Sequence, residues 1–235
     1  MKMPSIYICI YGIPDISGDD TEHLTDSLGF GEEEKKRLRD KKNASSQMES
    51  LAAMLALSEL TKLACSSAPG RIIRDANGRP FFENGEQQNI DFSLSHSGKI
   101  AVAALASGES ARVGVDTEPI CSHRGYTKIA QRFFSEAEKS RLDKYGQIPE
   151  TFFRIWTEKE AHAKYTGKGL SAFISESKSV SDGDPLQSSL FFRSYKLIYR
   201  TEEYIITVCI PDKYKKEKIK IINKCKDSEI YELQN

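Results

Sequence analysis

Three carboxylates in this chain could together hold a magnesium ion. Asp116 and Glu118 lie two residues apart in the segment 112–118, and residues two apart on a strand project from the same face. Two carboxylates on one face repel each other unless a cation lies between them, and Mg²⁺ takes one or two carboxylates together with substrate phosphates. Glu160 is available as a third oxygen ligand. The alternative is a strand end with exposed acids beside Pro119, since a D-x-E pair alone is a weak signal.

The segment 152–170 adds two lysines to Glu160 on one element. Glu160 and Lys164 are four residues apart, so a helix places them on the same side, and Lys159 falls within the apolar stripe of that helix. On this segment alone an ordinary Glu–Lys pair is the simpler interpretation, with the Lys159 stem lying along apolar surface. The carboxylates upstream favour a functional site instead, because they give these charges partners.

A further polar cluster is the run 95–99, Ser-His-Ser-Gly-Lys. Hydroxyls, backbone N–H groups and cations are the groups that bind phosphate. A histidine such as His96 is more often a local hydrogen-bonding residue than a ligand, but its expected closeness to Asp116 strengthens the functional interpretation. The turn Gly78-Arg79-Pro80 carries one more cation and indicates nothing by itself.

Acids and a lysine of this kind could serve metal-dependent hydrolysis of a phosphodiester, which stays open at this point. The sequence lacks the motifs of three other kinds of site. The sequence has no G-x-G-x-x-G and no G-x-x-x-x-G-K-[ST], so neither dinucleotide nor P-loop nucleotide binding is supported. No G-x-S-x-G elbow for a nucleophilic serine is present either.

The elements that must position these residues are a mixture of helices and strands. The segment 47–65 is dominated by alanine and leucine and is the strongest helix prediction. The helix that carries Glu160 is expected to end at Gly167, a natural terminator. Further helices are predicted at 21–28, 32–40, 126–134 and 136–144, and strands at 5–11, 71–74, 100–106, 112–118, 173–180, 190–200 and 204–210.

One pairing of strands is expected from a turn. The run 107–110, Ser-Gly-Glu-Ser, has the composition of a hairpin turn between the strands 100–106 and 112–118. If these strands pair around it, the start of the first lies beside the end of the second. The run 95–97 then comes close to the run 116–118, and His96 to Asp116.

Composition bounds the class of protein. The 235 residues carry 34 Lys+Arg and 34 Asp+Glu, so the basic footprint of a nucleic-acid-binding protein is absent, and we expect the basic segment 213–226 to be a solvated face. The length suits one large or two small domains. The five cysteines are scattered without metal-binding spacing and are expected to be reduced thiols. With no signal-peptide pattern and no apolar run of spanning length, a soluble cytoplasmic protein without membrane association is expected.

Four motifs occur together in a fixed order: SHSG at 95–98, GVDTE at 114–118, FFSEAE at 133–138 and WTEKEAHAK at 156–164. In this combination the sequence resembles the 4′-phosphopantetheinyl transferases of the larger, surfactin-synthetase-activating (Sfp) type. The pair G-V-D-x-E and W-x-x-K-E-x-x-x-K is specific when the two motifs lie about forty residues apart, as they do here. The resemblance extends from the turn at 78–80 to residue 170.

The resemblance implies an activity and a fold. Members of this family transfer the 4′-phosphopantetheine arm of coenzyme A to a serine of an acyl or peptidyl carrier protein, with Mg²⁺, and release adenosine 3′,5′-bisphosphate. Such carriers serve fatty acid, polyketide or nonribosomal peptide synthesis. The implied fold is α+β, with two similar α/β halves in one chain related by a pseudo-twofold axis, here residues 1–112 and 113–235. A monomer is expected.

The resemblance also implies roles for single residues. Asp116, Glu118 and Glu160 correspond to the Mg²⁺ ligands, and Glu160, or a water that it polarises, to the base that activates the carrier serine. Lys164 corresponds to the residue that stabilises or protonates the leaving group. Other residues correspond to contacts of coenzyme A: Ser95 and His96 at the phosphates, and Arg79 and Pro80 on the adenine side. Lys159 corresponds to a tethered motif lysine that also contacts coenzyme A. Glu138 corresponds to an acidic position after the FFS motif.

One position departs from the family pattern. The family usually has an arginine near the start of the long N-terminal helix to hold the 3′-phosphate of coenzyme A, whereas the run 43–47 here reads Asn-Ala-Ser-Ser-Gln. Cations just upstream could substitute for it: Lys35, Lys36, Arg39, Lys41 and Lys42. Two alternatives to a transferase stay open, a metal-dependent phosphohydrolase and a non-catalytic relative that binds coenzyme A or a carrier.

Overall fold

The computed structural model describes residues 5–14, 19–65, 71–83, 89–121, 125–145, 148–169 and 189–234. The predicted strand at 173–180 and residue 170 lie outside these residues. In chain order the elements are β1 (Ser5–Gly12), α1 (Asp19–Asp26), α2 (Glu32–Arg39), α3 (Ala44–Ala64), β2 (Ile72–Arg74), β3 (Pro80–Phe82), β4 (Ile90–Ser97), β5 (Ile100–Ser107), β6 (Gly114–Pro119), α4 (Tyr126–Phe133), α5 (Glu136–Lys144), α6 (Pro149–Thr166), β7 (Leu190–Tyr199), β8 (Glu202–Pro211), β9 (Ile219–Asn223) and β10 (Ser228–Glu232). A mixed α/β fold is thus confirmed.

Two four-stranded sheets form the centre of the molecule. The first has the strand order β4-β5-β1-β9 and the second the order β10-β7-β8-β6. Their facing sides bury a common apolar core, to which β1 contributes Ile6, Ile8 and Ile10 and β8 contributes Ile206 and Val208. Because side chains alternate along a strand, the opposite face of each sheet is left for a helix.

Helix α3 covers the outer face of the first sheet and helix α6 that of the second. The apolar side of α3, with Leu51 and Leu57, packs against Cys9 and Leu105. The first turns of α6 place Phe152 in the core beneath the second sheet. The order of layers is therefore helix, sheet, sheet, helix, and the three strands β4-β5-β1 have the same order of connections as β7-β8-β6.

The predicted pairing of the strands 100–106 and 112–118 is wrong. Strand β5 pairs with β4 through a two-residue turn at Gly98 and Lys99, and with β1 on its other side, so it has no free edge left. Strand β6 pairs with β8 instead. The two predicted strands still run in opposite directions, and β6 lies beside β4, which preserves the expected closeness of residues 95–97 to 116–118.

Strands β4 and β6 are edge strands that meet side by side and are joined by side chains. Every second residue of β4 from Asp91 on is polar and forms a hydrogen bond to β6 or to the residue just before it: Asp91, Ser93, Ser95 and Ser97. The Asp91 carboxylate accepts from the Val113 N–H at 2.9 Å, and the Ser93 hydroxyl from the Val115 N–H at 3.1 Å. These bonds give acceptors to N–H groups that would otherwise be unpaired at the edge of a sheet. We call this ladder the seam.

Helix α6 lies against β6 so closely that only glycine fits at the contact. A Cβ atom on Gly114 would stand 2.0 Å from the Ala161 carbonyl oxygen and 2.7 Å from the Tyr165 nitrogen. The helix spans Pro149–Thr166 and ends, as predicted, at Gly167, whose φ of 75° is left-handed. Proline at its first position and glycine after its last are the expected boundary residues.

Replacing Gly114 by alanine should therefore destabilise the protein by about 3 kcal/mol or more, because two backbone segments must move apart. The free energy of unfolding in urea measures this. Gly29→Ala is the matched control, since no atom of the described residues lies within 4 Å of a Cβ at that position. Equal unfolding midpoints for the two variants would contradict the close contact between α6 and β6.

The C-terminal segment was predicted as a solvated face, and in part it is. In the basic segment 213–226, Lys216 and Lys218 are exposed, but the same segment also contains strand β9. Strand β10 follows it. Strand β9 pairs in parallel with β1 and completes the first sheet. Over the residues that the structure describes, no helix is long and apolar enough to cross a membrane.

Candidate active site

A cavity of about 420 Å³ opens where α2, α3, the seam and α6 meet. Seven of the predicted site residues line it together: Pro80, Ser95, His96, Asp116, Glu118, Glu160 and, at the end of α6, Lys164. Strand β4 supplies the serine and histidine, β6 the two acids, and α6 the last two side chains. Residues predicted on separate segments thus share one concave site.

Asp116 is at the centre of this site. Its Oδ1 accepts from the Lys164 ammonium at 2.7 Å and from the Ser95 hydroxyl at 2.8 Å, and the ammonium also lies 2.8 Å from that hydroxyl. The Asp116 residue is 5% exposed, and its second oxygen, Oδ2, is buried with no hydrogen-bond partner among the described residues. A buried carboxylate oxygen without a donor is costly, so a cation is the natural partner for it.

Glu118 and Glu160 extend the acidic side of the cavity. The Ser97 hydroxyl donates to Glu118 at 2.9 Å, which is the next rung of the seam. Burial, and then repulsion from Asp116 and Glu118, raises the pKa of Glu160 to about 7, although Lys164 acts in the opposite direction. Asp116 and Glu118 are therefore close enough to Glu160 to oppose its ionisation.

A bound cation would relieve this repulsion, but the site is not a preformed cage. Among the described residues no three acidic, histidine or cysteine side chains converge as a ready metal centre. Mg²⁺ does not require one, since it commonly binds one or two carboxylates and completes its shell with substrate phosphates and water. The unpartnered Oδ2 of Asp116 and the oxygen-only donor set fit that ion.

His96 faces the other side of the cavity, toward α3. Its Nδ1 lies 3.3 Å from a carboxylate oxygen of Glu49. Burial lowers the pKa of His96 despite this carboxylate. Nothing in the sequence motifs pointed to Glu49, which comes from the helix 47–65 that was predicted only as a packing element.

Two predicted site residues have structural partners. The Lys159 side chain is 5% exposed and donates to both oxygens of Glu138 at 2.9 Å. Glu138 in turn forms a capping box with Ser135 at the start of α5. Arg79 and Pro80 border a neighbouring cavity of about 280 Å³. The Arg79 guanidinium donates to Asp91 at 2.7 Å.

Three cations border the cavity beside α2. Lys41 was among the predicted substitutes for the missing arginine, while Arg37 and Arg74 were not. Arg74 is held by a 2.8 Å bond to Glu34. Of the other predicted cations, Lys35 pairs with Glu32 and Arg39 with Asp26 on the outer surface. The helical periodicity of α2 would have singled out Arg37, which lies four residues before Lys41.

The raised pKa of Glu160 predicts how stability depends on pH. A carboxyl whose pKa is near 4.5 in the unfolded chain and about 7 in the fold is favoured in its neutral form, so its contribution is full below pH 4.5 and is lost as the pH rises toward 7. Without metal, the wild-type protein should lose about 2 kcal/mol relative to Glu160→Gln between pH 5 and pH 8. Chemical denaturation of both proteins at the two pH values measures this.

Glu136→Gln, which changes an exposed carboxylate, provides the control for that comparison. Addition of Mg²⁺ should raise the melting temperature of the wild-type protein more at pH 8 than at pH 5.5, because protons compete with the cation for Glu160. A difference between wild type and Glu160→Gln that does not change with pH would contradict the environment described for Glu160.

Comparison of the sequence with known proteins matches part of this chain to one family. The model of the 4′-phosphopantetheinyl transferase superfamily matches residues 112–209, the region with β6, α6 and β8. A putative 4′-phosphopantetheinyl transferase of Synechocystis sp. is 27% identical over 75% of this chain and 70% of its own length.

Relatives with higher identity match shorter regions. A 4′-phosphopantetheinyl transferase of Bacillus subtilis is 34% identical over 52% of this chain and 55% of its own length. The 4′-phosphopantetheinyl transferase Sfp of Bacillus subtilis strain 168 is 40% identical over 34% of both chains. The matched region spans about half the length of the first of these two and a third of the second.

The match to the family model confirms the resemblance predicted from the motifs, and the matched region includes residues that line the cavity. Asp116, Glu118, Glu160 and Lys164 all fall within the matched region. The similarity of this chain to the 4′-phosphopantetheinyl transferase superfamily is thus shown for residues 112–209.

Proposed function

We propose that this protein transfers the 4′-phosphopantetheine group of coenzyme A to a serine of an acyl or peptidyl carrier protein. The observation that carries the proposal is the cavity in which Asp116, Glu118, Glu160 and Lys164 meet beside Ser95 and His96. Carboxylates for a divalent cation, a lysine and hydroxyl groups at one concave site suit phosphoryl transfer. The names of the relatives support the same reaction.

Asp116, Glu118 and Glu160 would hold Mg²⁺ in this proposal. Bound there together with the pyrophosphate of coenzyme A, the ion would neutralise charge on the phosphates and on the leaving group. The chain itself supplies the arrangement of donors: Ser95 and Ser97 hold Asp116 and Glu118 in place by hydrogen bonds of 2.8 and 2.9 Å. Both serines lie on β4, so the seam aligns the acids.

Glu160 is the proposed base. The carrier serine loses its hydroxyl proton to Glu160, directly or through a water, and its oxygen forms a new bond to the phosphorus that carries the pantetheine arm. In the metal-free site the pKa of Glu160 is raised to about 7, and when the carboxylate holds the cation, a water that Glu160 polarises would accept the proton. The bond between that phosphorus and the bridging pyrophosphate oxygen breaks, and adenosine 3′,5′-bisphosphate leaves.

Lys164 is proposed to stabilise that leaving group. Its ammonium group already lies at the centre of the site, bonded to Asp116 and Ser95. A cation held in a partly buried site stabilises developing negative charge more strongly than one in water. Protonation of the departing oxygen by the same ammonium completes the transfer.

Coenzyme A phosphates are proposed to contact His96, with Arg79 and Pro80 toward the adenine and Lys159 in a tethered role. Lys41 and the newly identified Arg37 and Arg74 would receive the 3′-phosphate, because they are the cations at the rim of the cavity beside α2. They would take the place of the arginine that is missing from the start of α3. Several cations of this kind bind a phosphate more strongly than one, and added salt weakens the binding.

The larger organisation is part of the proposal. We infer that residues 1–112 and 113–235 form two halves related by a pseudo-twofold axis, since β4-β5-β1 and β7-β8-β6 share one order of connections. Strand β9 would then be an exchange from the second half to the first, because it pairs with β1. A cytoplasmic monomer that requires Mg²⁺ fits this scheme.

One experiment tests the function. The protein is incubated with coenzyme A, Mg²⁺ and each of several apo carrier proteins, and the carriers are weighed by mass spectrometry. We expect the mass of one phosphopantetheine arm on the carrier serine, and no gain when Mg²⁺ is removed by chelation. No gain on any carrier would contradict the proposal. Release of free phosphopantetheine without a carrier would instead indicate a phosphohydrolase, and binding without turnover a non-catalytic relative.

A further inference from the structure

The last turn of α6, which carries Lys164, is bonded to residues from two distant segments. A helix leaves its last four carbonyl groups without partners inside the helix, and such ends fray unless other groups bind them. In α6 these are the carbonyls of residues 163–166. The Ala163 oxygen accepts from the Gly167 N–H at 2.9 Å, which leaves three carbonyls to be satisfied.

Two arginines bind the other three carbonyls. Arg79, from the turn before β3, donates from Nε to the Lys164 oxygen at 3.1 Å. Arg112, from the loop before β6, donates from Nε to the Tyr165 oxygen at 2.7 Å and from Nη2 to the Thr166 oxygen at 3.4 Å. Both cations lie at the negative end of the helix dipole, where positive charge is favourable.

Asp91 links these arginines to the seam. Its Oδ2 accepts from Arg79 at 2.7 Å and from the Val113 N–H at 2.9 Å, and the side chains of Asp91 and Arg79 are 8% and 9% exposed. Burial, and then the charge of Arg79, lowers the pKa of Arg112, while Asp91 acts in the opposite direction. The carboxylate therefore offsets the repulsion between two guanidinium groups that hold the same turn.

We propose that Arg112 is a positioning residue for Lys164: with the Arg79–Asp91 pair it keeps the last turn of α6 helical, so that the Lys164 ammonium is presented to Asp116. Without these donors the carbonyls must turn toward water, and the backbone that carries Lys164 turns with them. The proposal deepens the proposed function, on which its kinetic consequence rests. Arg112 itself does not line the cavity that holds Asp116 and Lys164.

Hydrogen exchange tests the arrangement independently of any activity. In the Arg112→Gln variant, amides in the segment 161–167 should exchange on the order of tenfold faster, whereas those in the segment 150–158 should keep wild-type rates. Arg112→Lys, which keeps the charge and one donor, should show a smaller change. Arg71→Gln serves as the control, because Arg71 is an exposed residue that pairs with Glu83 away from this turn.

Steady-state kinetics with an apo carrier give the second measurement. Arg112→Gln should lower kcat on the order of tenfold with little change in KM for coenzyme A, because Lys164 acts as the leaving group departs. Arg112→Lys should recover most of the lost kcat. A purely structural role would instead lower kcat in proportion to the fraction unfolded, and lysine would not restore it.

Unchanged exchange in the segment 161–167 of both variants would overturn the proposal, as would faster exchange with wild-type kcat in Arg112→Gln. Absence of transfer by the wild-type protein on every carrier would contradict the proposed function rather than the arrangement, which the exchange rates decide on their own. If Arg112→Gln does not fold, Arg112→Lys decides the matter. Faster exchange than wild type in the segment 161–167 of this variant supports the role of Arg112, and wild-type exchange overturns it.

Discussion

Asp116→Asn is expected to lower the rate of phosphopantetheine transfer by at least about 10³-fold while leaving the protein folded. The substitution keeps the shape of the side chain, and the amide oxygen can still accept from Ser95. It removes the charge that holds the Lys164 ammonium at 2.7 Å, and it removes the buried oxygen Oδ2, for which the described part of the chain offers no donor. The proposed ligand for the cation and the partner of the lysine disappear together.

Three measurements separate this loss from unfolding. Circular dichroism and the urea midpoint should resemble those of the wild type, the rate should fall in a mass-spectrometric time course, and the stabilisation by Mg²⁺ in a thermal melt should disappear. Asp227→Asn is the matched control, since Asp227 is exposed on the turn before β10. Activity within tenfold of wild type would show that Asp116 does not bind the catalytic cation.

Lys164→Met is expected to lower kcat on the order of 10² to 10³-fold. Methionine keeps the length and apolar stem of the side chain, so the packing of α6 against β6 is preserved. The lost ammonium is the cation that would stabilise the departing adenosine bisphosphate. Because this charge is needed most as the bond breaks, kcat should fall more than the affinity for coenzyme A.

The comparison with a neighbouring lysine makes that expectation specific. Lys168→Met removes an exposed cation just past the end of α6 and should keep kcat within about twofold of wild type. Rates with saturating coenzyme A and isothermal titration of coenzyme A binding distinguish the two effects. A rise in KM with unchanged kcat for Lys164→Met would mean that the ammonium binds substrate and takes no part in the departure of the leaving group.

Helix α6 is the element that the sequence predicted best. Its apolar stripe and its glycine terminator are local features, and the structure places the helix at Pro149–Thr166 with Gly167 in the left-handed region. Trp156 stacks on Phe152 with 6.3 Å between ring centroids, which helps to fix the rotation of the helix. The burial of Lys159 follows from its position on the stripe, although its partner Glu138 could not be inferred.

The pairing of strands was predicted less well, for a physical reason. A turn between two strands in sequence favours their pairing, but the central place of β5 between β4 and β1 is decided by long-range contacts that no local pattern records. One signal was present: the alternation of Asp91, Ser93 and Ser95 with Ile90, Phe92 and Leu94 is the pattern of a strand with one polar side. It would have identified β4 and the side that meets β6.

The arginines that bind the end of α6 were beyond local reasoning as well. Arg79 was interpreted through the family resemblance as a contact of coenzyme A, and the structure gives its guanidinium four protein partners, among them Asp91 and the Lys164 carbonyl. Arg112 belongs to no motif. Capping of a helix by side chains from other segments depends on tertiary contacts that spacing does not reveal.

The parallel pairing of β9 with β1 bears on how the chain folds during its synthesis. Ile6 lies opposite Ile219, so β1 gains this neighbour only when β9, about 200 residues later in the sequence, has also emerged from the ribosome. Until then one edge of β1 stays open, and open strand edges invite association with other chains. Contacts of such long range also slow folding. Nascent chains of this protein are thus expected to need shielding of β1 until β9 has been synthesised.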